Sequence, residues 1–294
     1  MNIRVPATSA NLGPGFDTLG LSLKLYNETV IETSNYFSIS IKGEGSEKPL
    51  VKTNNTFVNI FYDIYKELTG KKDNFRFSFV NSIPFSRGLG SSSSVIIGAI
   101  ASAYKMAGFK VDRDCIVNRA LVYESHPDNI TPAVYGGFIT AVVDNGRIIK
   151  IKKELPDTLK AVVVIPNVTM STKHSRSILP RQYKIKDTIF NVSHAALLSA
   201  AFMNEQWDVL KIASQDAMHE NIRMQALNEL FDVRRIAYEE GALLSTLSGS
   251  GSSFLSLVYD KHSDNLLNAL KSAFSKFKVI KLGLDNDGFT ILES

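Results

Sequence analysis

Between Pro84 and Ser94 the chain reads PFSRGLGSSSS, with four consecutive serines behind two glycines. Gly88 and Gly90 let the backbone turn tightly and approach a ligand closely. Ser91, Ser92, Ser93 and Ser94 offer hydroxyls to phosphate oxygens or to a magnesium ion. Ahead of the stretch, Phe75, Phe77 and Phe79 alternate with Arg76 and Ser78, the pattern of a half-buried strand. Behind it, VIIGAIASAYKMAG is an apolar run of helical length ended by Gly108. A loop that opens a helix presents N–H groups without helical partners at the positive end of the macrodipole, so it attracts anions. A helix cap alone would need one serine. The stretch does not fit GxxxxGK[ST], because no Lys follows the second glycine.

Two further segments carry unusual polar density. In ESHPDNITPAVYGGF, Glu124, His126, Asp128 and Asn129 fall within six residues, and Pro127 and Pro132 are expected to stop the preceding helix. The alternative is a polar helix end that His126 merely caps. In ATSANLGPGFDTLG, Asn11 and Asp17 lie six positions apart on a connection longer than an ordinary hairpin turn. Both can hydrogen-bond a polar ligand, or only their own backbone.

Composition narrows the class. At 294 residues the chain forms two domains or one large one. Its 44% hydrophobic and 21% charged content is that of a soluble globular protein. A net charge of +4, without a dense Lys/Arg run, argues against a nucleic-acid partner. The single Cys115 excludes an internal disulfide or a multi-cysteine metal site, and is expected to be a small buried residue on a helix. MNIRVPATSANLG lacks a signal-peptide core, and no apolar run is long enough to span a bilayer. The reading is a reduced, cytoplasmic compartment with no membrane partner.

The elements that must position these groups follow in order. Ile3 and Val5 begin a strand, Leu21, Leu23 and Leu25 mark a second, and Phe37, Ile39 and Ile41 a third. A helix runs from Thr56 to Leu68 with Gly70 as its stop, and another opens at Asp112 or Asp114 and reaches about Tyr123. Asp144-Asn145-Gly146 joins a hairpin. Residues 152–158 read as a linker. Beyond it come a strand over Lys160–Pro166, a mostly helical region from Thr188 to Glu240, strands Leu243–Leu247 and Phe254–Tyr259, a helix Ser263–Phe277, and strands Val279–Leu282 and Phe289–Leu292. This second half has the β-α-β-β-α-β order of a split βαβ, ferredoxin-like domain with inserted helices. The fold class is α+β, with domains over 1–155 and 156–294.

Together the glycine-rich segments resemble the GHMP family of small-molecule kinases, whose phosphate loop PxxxGLGSS stands here as PFSRGLGSS. Within that family VPATSANLGPGFDTLGL, HPDNITPAVYGGF, RSILP, DAMHENIR and LSGSGSS are similar to segments of the homoserine kinase branch, in the same order over nearly the whole chain. Ser93 and Ser94 stand where alanines are frequent, Ser125 where glycine is usual, and Ser252 where proline is common. The resemblance implies an N-terminal nucleotide-binding domain, ATP and L-homoserine as substrates, Mg2+ as cofactor and a homodimer. It places Pro84, Phe85, Ser86, Arg87, Gly88, Leu89, Gly90 and Ser91–Ser94 around the phosphates of ATP, with Asn55 against the adenine. It assigns Ser92 and Glu124 to the metal and Asp17, helped by Asn11, to the substrate ammonium. Arg176 and Arg223 take the substrate carboxylate, with Arg181 a rival for Arg176, and Gly249 closes the pocket. His126, also set against the substrate, and Asp128 would shape the loop at the acceptor end, and Asn129 would orient the hydroxyl, since an amide cannot serve as a base. A kinase of another small alcohol such as mevalonate would not need an acid for an ammonium. A nucleotide-binding sensor without turnover is the rival from another class, and an RNA-binding protein would need a basic face interleaved with aromatics.

Overall fold

The computed structural model describes residues 1–292. Its first part holds strands β1 (Asn2–Ala10), β2 (Leu19–Ser34) and β3 (Ser38–Gly43), helices α1 (Pro49–Thr53) and α2 (Thr56–Thr69), and strand β4 (Asn74–Asn81). Helices α3 (Ser91–Met106), α4 (Arg113–Ala120) and α5 (Pro127–Tyr135) follow, then the hairpin β5 (Phe138–Asp144) and β6 (Arg147–Lys153). The second part runs β7 (Leu159–Ile165), α6 (Thr172–Ser177), α7 (Ile185–Met203), α8 (Leu210–Ala213), α9 (Glu220–Met224) and α10 (Glu229–Glu239). It continues with β8 (Leu244–Leu247), β9 (Phe254–Tyr259), α11 (Asp260–Ala273), β10 (Lys278–Leu282) and β11 (Thr290–Leu292).

Strand β2 organises the first sheet. Its start pairs with β5 at Leu19–Leu21 and its far half with β4 from Asn27 to Ser34, while β1 lies along its other edge. The sheet order is β11-β1-β2-β4-β3, with β5 and β6 attached to β2. Alternation on β4 sends Phe75, Phe77 and Phe79 inward against Phe57 and Phe61 of α2. Phe61 and Phe77 meet edge to face at 5.2 Å, an arrangement worth about 0.5–1.5 kcal/mol beyond the buried area. Asn55 caps α2 by accepting the Val58 N–H at 3.1 Å, and Gly70 ends it in the left-handed region. The hairpin turn is Asn145-Gly146 with both φ angles positive, as a two-residue turn requires.

The second sheet has the order β10-β7-β9-β8, the fourth, first, third and second of its own strands, which is the ferredoxin-like arrangement. One face packs Val162, Val164, Phe254 and Val258 on Leu230 and Val233 of α10 and Leu266 and Leu270 of α11. The other brings Ala161, Val163, Leu255 and Leu257 against Leu21, Leu23 and Phe138 of the first sheet, so one core joins the two parts.

Three sequence expectations change. Pro127 and Pro132 do not stop a helix: Pro127 is the first residue of α5 and Pro132 lies inside it. The first helical position has no intrahelical use for its N–H, so proline fits there. Cys115 is exposed on α4, its Sγ 3.4 Å from the Tyr104 hydroxyl. The last strand, β11, leaves the second part and pairs antiparallel with β1, Ile3 opposite Ile291. The break between sheets near residue 155 therefore has a returning C-terminal segment.

Candidate active site

The phosphate-type loop folds as its glycines dictate. Gly88 and Gly90 have φ of +75° and +67°, and a Cβ on them would come within 2.0 Å of the Ser248 carbonyl oxygen and 1.9 Å of Thr8 Oγ1. Gly90 is the N-cap of α3 and supplies no side chain, and no serine of the run caps it either. The Ser94 hydroxyl instead donates to the Ser91 carbonyl at 2.9 Å and accepts from Asn27 Nδ2. The first-turn N–H groups thus remain available to an anion. The loop is clasped from the second part: Ser248 Oγ donates to the Gly88 carbonyl at 2.7 Å, and the Ser253 N–H to the Arg87 carbonyl at 3.0 Å. Arg87 Nε donates to the Pro166 carbonyl at 2.9 Å.

Pro84 and Ser86–Ser93 line a cavity of about 290 Å3 that also takes in Asn11, Asp17, Glu124, His126, Asp128, Asn129, Arg176, Arg223 and Gly249, whereas Phe85 and Ser94 lie outside it, on a second cavity. All three segments singled out in the sequence converge on it. Ser92 lines this cavity and also a second, more apolar one of about 380 Å3 walled by Asn55, Phe57, Phe79, Phe85 and Val95.

Glu124 Oε2 accepts the Ser93 hydroxyl at 2.8 Å, and burial raises its carboxyl above the usual range, opposed by that bond. Asn129, in the first turn of α5, accepts the Thr8 hydroxyl on Oδ1 at 2.8 Å, which leaves Nδ2 to face the cavity. Asp128 beside it is buried with Oδ1 unpartnered, and burial, then the charges of Asp17 and Glu124, push it up to about 8. His126 caps nothing; its Nδ1 lies 3.3 Å from Asp17 Oδ2.

The charged residues that the resemblance assigns to the substrate come together, and two of them pair with each other, which the sequence did not foretell. Arg176 forks onto Asp17, Nη2 to Oδ1 at 2.5 Å and Nη1 to Oδ2 at 3.0 Å. Asp17 and Arg176 thus neutralise each other across 159 residues of sequence. Asn11 holds the cluster together: its Oδ1 accepts the Asp17 N–H at 3.1 Å and its Nδ2 donates to the Gly249 carbonyl at 3.0 Å. Arg223 is buried and donates to the carbonyls of Ser175 and Gly249, at 3.3 and 3.2 Å. Burial, then the charge of Arg176, lower its pKa. Arg181 is exposed and outside the cavity lining, so the geometry favours Arg176 over it.

Sequence reasoning missed Thr8, Phe16 and His219. His219 donates from Nε2 to the Gly13 carbonyl at 2.8 Å, so its Nδ1 accepts from Arg223 Nη1 at 3.2 Å. Burial lowers its pKa and keeps it neutral. Its position four before Arg223 puts both on one helix face, a spacing readable in DAMHENIR. Glu220, pushed up to about 8 by burial and then by Asp216, accepts the Leu247 N–H at 2.6 Å and anchors the start of the SGSG turn.

Comparison with known proteins adds three findings. Residues 55–137 match the GHMP kinases N terminal domain and residues 193–276 the GHMP kinases C terminal family. Over 294 residues, all of both chains, the sequence is 59% identical to a homoserine kinase of Campylobacter concisus. It is 57% identical over 291 residues to one of Campylobacter jejuni, covering 99% of this chain and 100% of that one. The fold is similar to the crystal structure of homoserine kinase from Cytophaga hutchinsonii, with TM-score 0.88 over 99% of this chain and 97% of that one, at 24% identity.

Proposed function

The chain belongs to the homoserine kinases of the GHMP kinase family, and on that premise we propose how its cavity carries the reaction. The enzyme phosphorylates the side-chain hydroxyl of L-homoserine with ATP, giving O-phospho-L-homoserine for threonine biosynthesis. Such a transfer asks the protein for positioning and charge stabilisation more than for covalent chemistry. The free N–H groups at Gly88–Ser92 take the β- and γ-phosphates, and the apolar cavity beside Asn55, Phe57 and Phe85 takes the adenine. Glu124 and Ser92 would hold Mg2+. Their all-oxygen donor set suits a hard cation that draws the rest of its shell from waters and phosphates. When bound, the ion would neutralise charge on the phosphates.

The zwitterionic end of homoserine needs an acid and guanidinium forks. Asp17 meets the ammonium, and Arg176 and Arg223 the carboxylate. Asn129, its Oδ1 held by Thr8, donates from Nδ2 to the acceptor oxygen and aims it at the γ-phosphate. The hydroxyl proton passes to the departing phosphoryl group, since a loose transition state needs little early deprotonation. One observation carries this reading. The uncapped loop and Arg223, a buried cation with no carboxylate in salt-bridge reach among the described residues, face the same cavity.

Coupled assays with Mg-ATP against homoserine, serine, threonine and mevalonate test it; homoserine should give the highest kcat/KM by at least an order of magnitude. Preference for mevalonate would overturn the assignment of Asp17. No helix among the described residues is long and apolar enough to cross a membrane, and we place the enzyme in the cytoplasm. We also take it to be a homodimer: Ile185, Ile189 and Val192 of α7 lie exposed at helical spacing. Sedimentation of the wild type against Ile189→Glu tests that state.

A further inference from the structure

Phe16 sits one residue before Asp17, half-buried, with three of the cluster's side chains around its ring. The Arg176 guanidinium carbon lies 5.1 Å from the ring centroid, and that of Arg223 lies 5.1 Å from it as well. The His219 ring is 5.0 Å away, tilted by 50°. Both cations are within the range at which an aromatic quadrupole attracts a positive charge. They also repel each other, and the lowered pKa of Arg223 reports part of that repulsion. Arg176 is bonded to Asp17, whereas Arg223 is bonded to two carbonyls and to neutral His219 and meets the charges of Asp17 and Asp216 only from beyond bonding distance. The other negative surface that the two guanidiniums share is the phenyl ring.

We propose that Phe16 is a positioning residue for substrate recognition: its ring holds Arg176 and Arg223 on the one cavity that both line, as joint partners for a single amino-acid carboxylate. The proposal rests on the reading that these arginines bind the substrate carboxylate. A leucine would fill much of the volume but has no quadrupole, so the two guanidiniums would separate and no longer converge on one carboxylate. Two consequences distinguish this role from simple packing. The loss should fall on homoserine binding and not on ATP binding or turnover, and it should track the electron density of the ring.

The test is steady-state kinetics of Phe16→Leu and Phe16→Tyr, and of proteins carrying one, two or three ring fluorines on phenylalanine at position 16. Each attractive contact is worth a few- to about thirtyfold in affinity. Phe16→Leu should raise the homoserine KM on the order of ten- to thirtyfold. The ATP KM and kcat should stay within about threefold, and Phe16→Tyr should behave like the wild type. Added fluorines should raise the homoserine KM stepwise at constant melting temperature. The inhibition constant of 3-aminopropan-1-ol, which lacks the carboxylate, should be the same in all of these proteins. A flat fluorine series beside a weakened Leu variant would overturn the proposal, because packing would then explain the loss. If Arg176→Gln and Arg223→Leu both leave the homoserine KM unchanged, the underlying reading of the arginines fails instead.

Discussion

Replacing Asp17 by asparagine should weaken the true substrate and strengthen an analogue of it. The Asp17–Arg176 fork, at 2.5 and 3.0 Å, competes with the substrate for both partners. In the proposed site the ammonium takes Asp17 and the carboxylate takes Arg176, so on that reading the pair opens as the zwitterion enters. Its side chains are 27% and 32% exposed, between the surface and buried limits. Surface pairs contribute about 0–1 kcal/mol and breaking buried ones costs about 3–5. A net value of about 1–2 kcal/mol, or roughly five- to thirtyfold, is therefore expected for this fork. 4-Hydroxybutanoate is homoserine without its amino group. It cannot use Asp17, yet in the wild type it must still draw Arg176 away from that residue. In Asp17→Asn the guanidinium is released, so 4-hydroxybutanoate should bind roughly five- to thirtyfold more tightly than in the wild type. Homoserine gains the same release but loses its ammonium partner, a loss of about 2–5 kcal/mol, so it should bind on the order of thirtyfold more weakly. The assay is inhibition of the coupled kinase reaction by 4-hydroxybutanoate at saturating Mg-ATP, set beside the homoserine KM of each protein. A parallel weakening of both molecules would refute the competition: Asp17 would then only hold the loop in shape.

If Glu124 and Ser92 act on metal-bound phosphates as proposed, Glu124→Ala and Ser92→Ala should each lower kcat by two or more orders of magnitude with melting temperature held within a few degrees, because that stabilisation is realised in the transition state. Near-normal turnover of Glu124→Ala at saturating magnesium would transfer the metal role to another carboxylate. Thr8→Val removes the hydroxyl that fixes the Asn129 amide at 2.8 Å, and should lower kcat about tenfold with the ATP KM unchanged; an altered ATP KM alone would argue against that arrangement. Asp128 holds its proton more tightly in the folded chain, up to about 8 against an ordinary 3.8, so folding stability falls as pH rises from about 4 to about 8. Asp128→Asn removes that titration, and by calorimetry its melting temperature should gain on the wild type by several degrees between pH 5 and pH 8.5. A constant difference across that range would show that Asp128 does not titrate as argued.

What could be read in the sequence was what is local. PFSRGLGSSSS announces its loop because glycine geometry, hydroxyls and the flanking strand and helix all lie within a few residues. The Asn145-Gly146 turn and the Asn55 and Gly70 boundaries of α2 are legible for the same reason. Asp17 and Arg176 could each be nominated by motif, but their mutual pairing depends on tertiary packing that no spacing encodes. Phe16 looks like any core phenylalanine until two guanidiniums are seen beside it. Pro127 misled because proline ends one helix and begins another with equal ease, and only the preceding turn at 121–123 decides between them. Ser93, which stands where alanine is frequent, is a buried tether to Glu124.

The return of β11 has a consequence for how the molecule is made. Ile3 and Arg4 pair with Ile291 and Thr290, and the Arg113 guanidinium donates to the carbonyls of Asp287 and Phe289 at 2.7 and 3.1 Å. The Gly137 N–H likewise donates to the Asp285 carbonyl at 2.7 Å. At synthesis rates of about 5–20 residues per second, β1 leaves the ribosome roughly fifteen to sixty seconds before its outer neighbour exists. During that interval the first sheet has an open edge, the kind of surface that invites pairing with foreign strands. Closure over so many residues of sequence separation is also slow. The first sheet is therefore completed only after translation has passed residue 292.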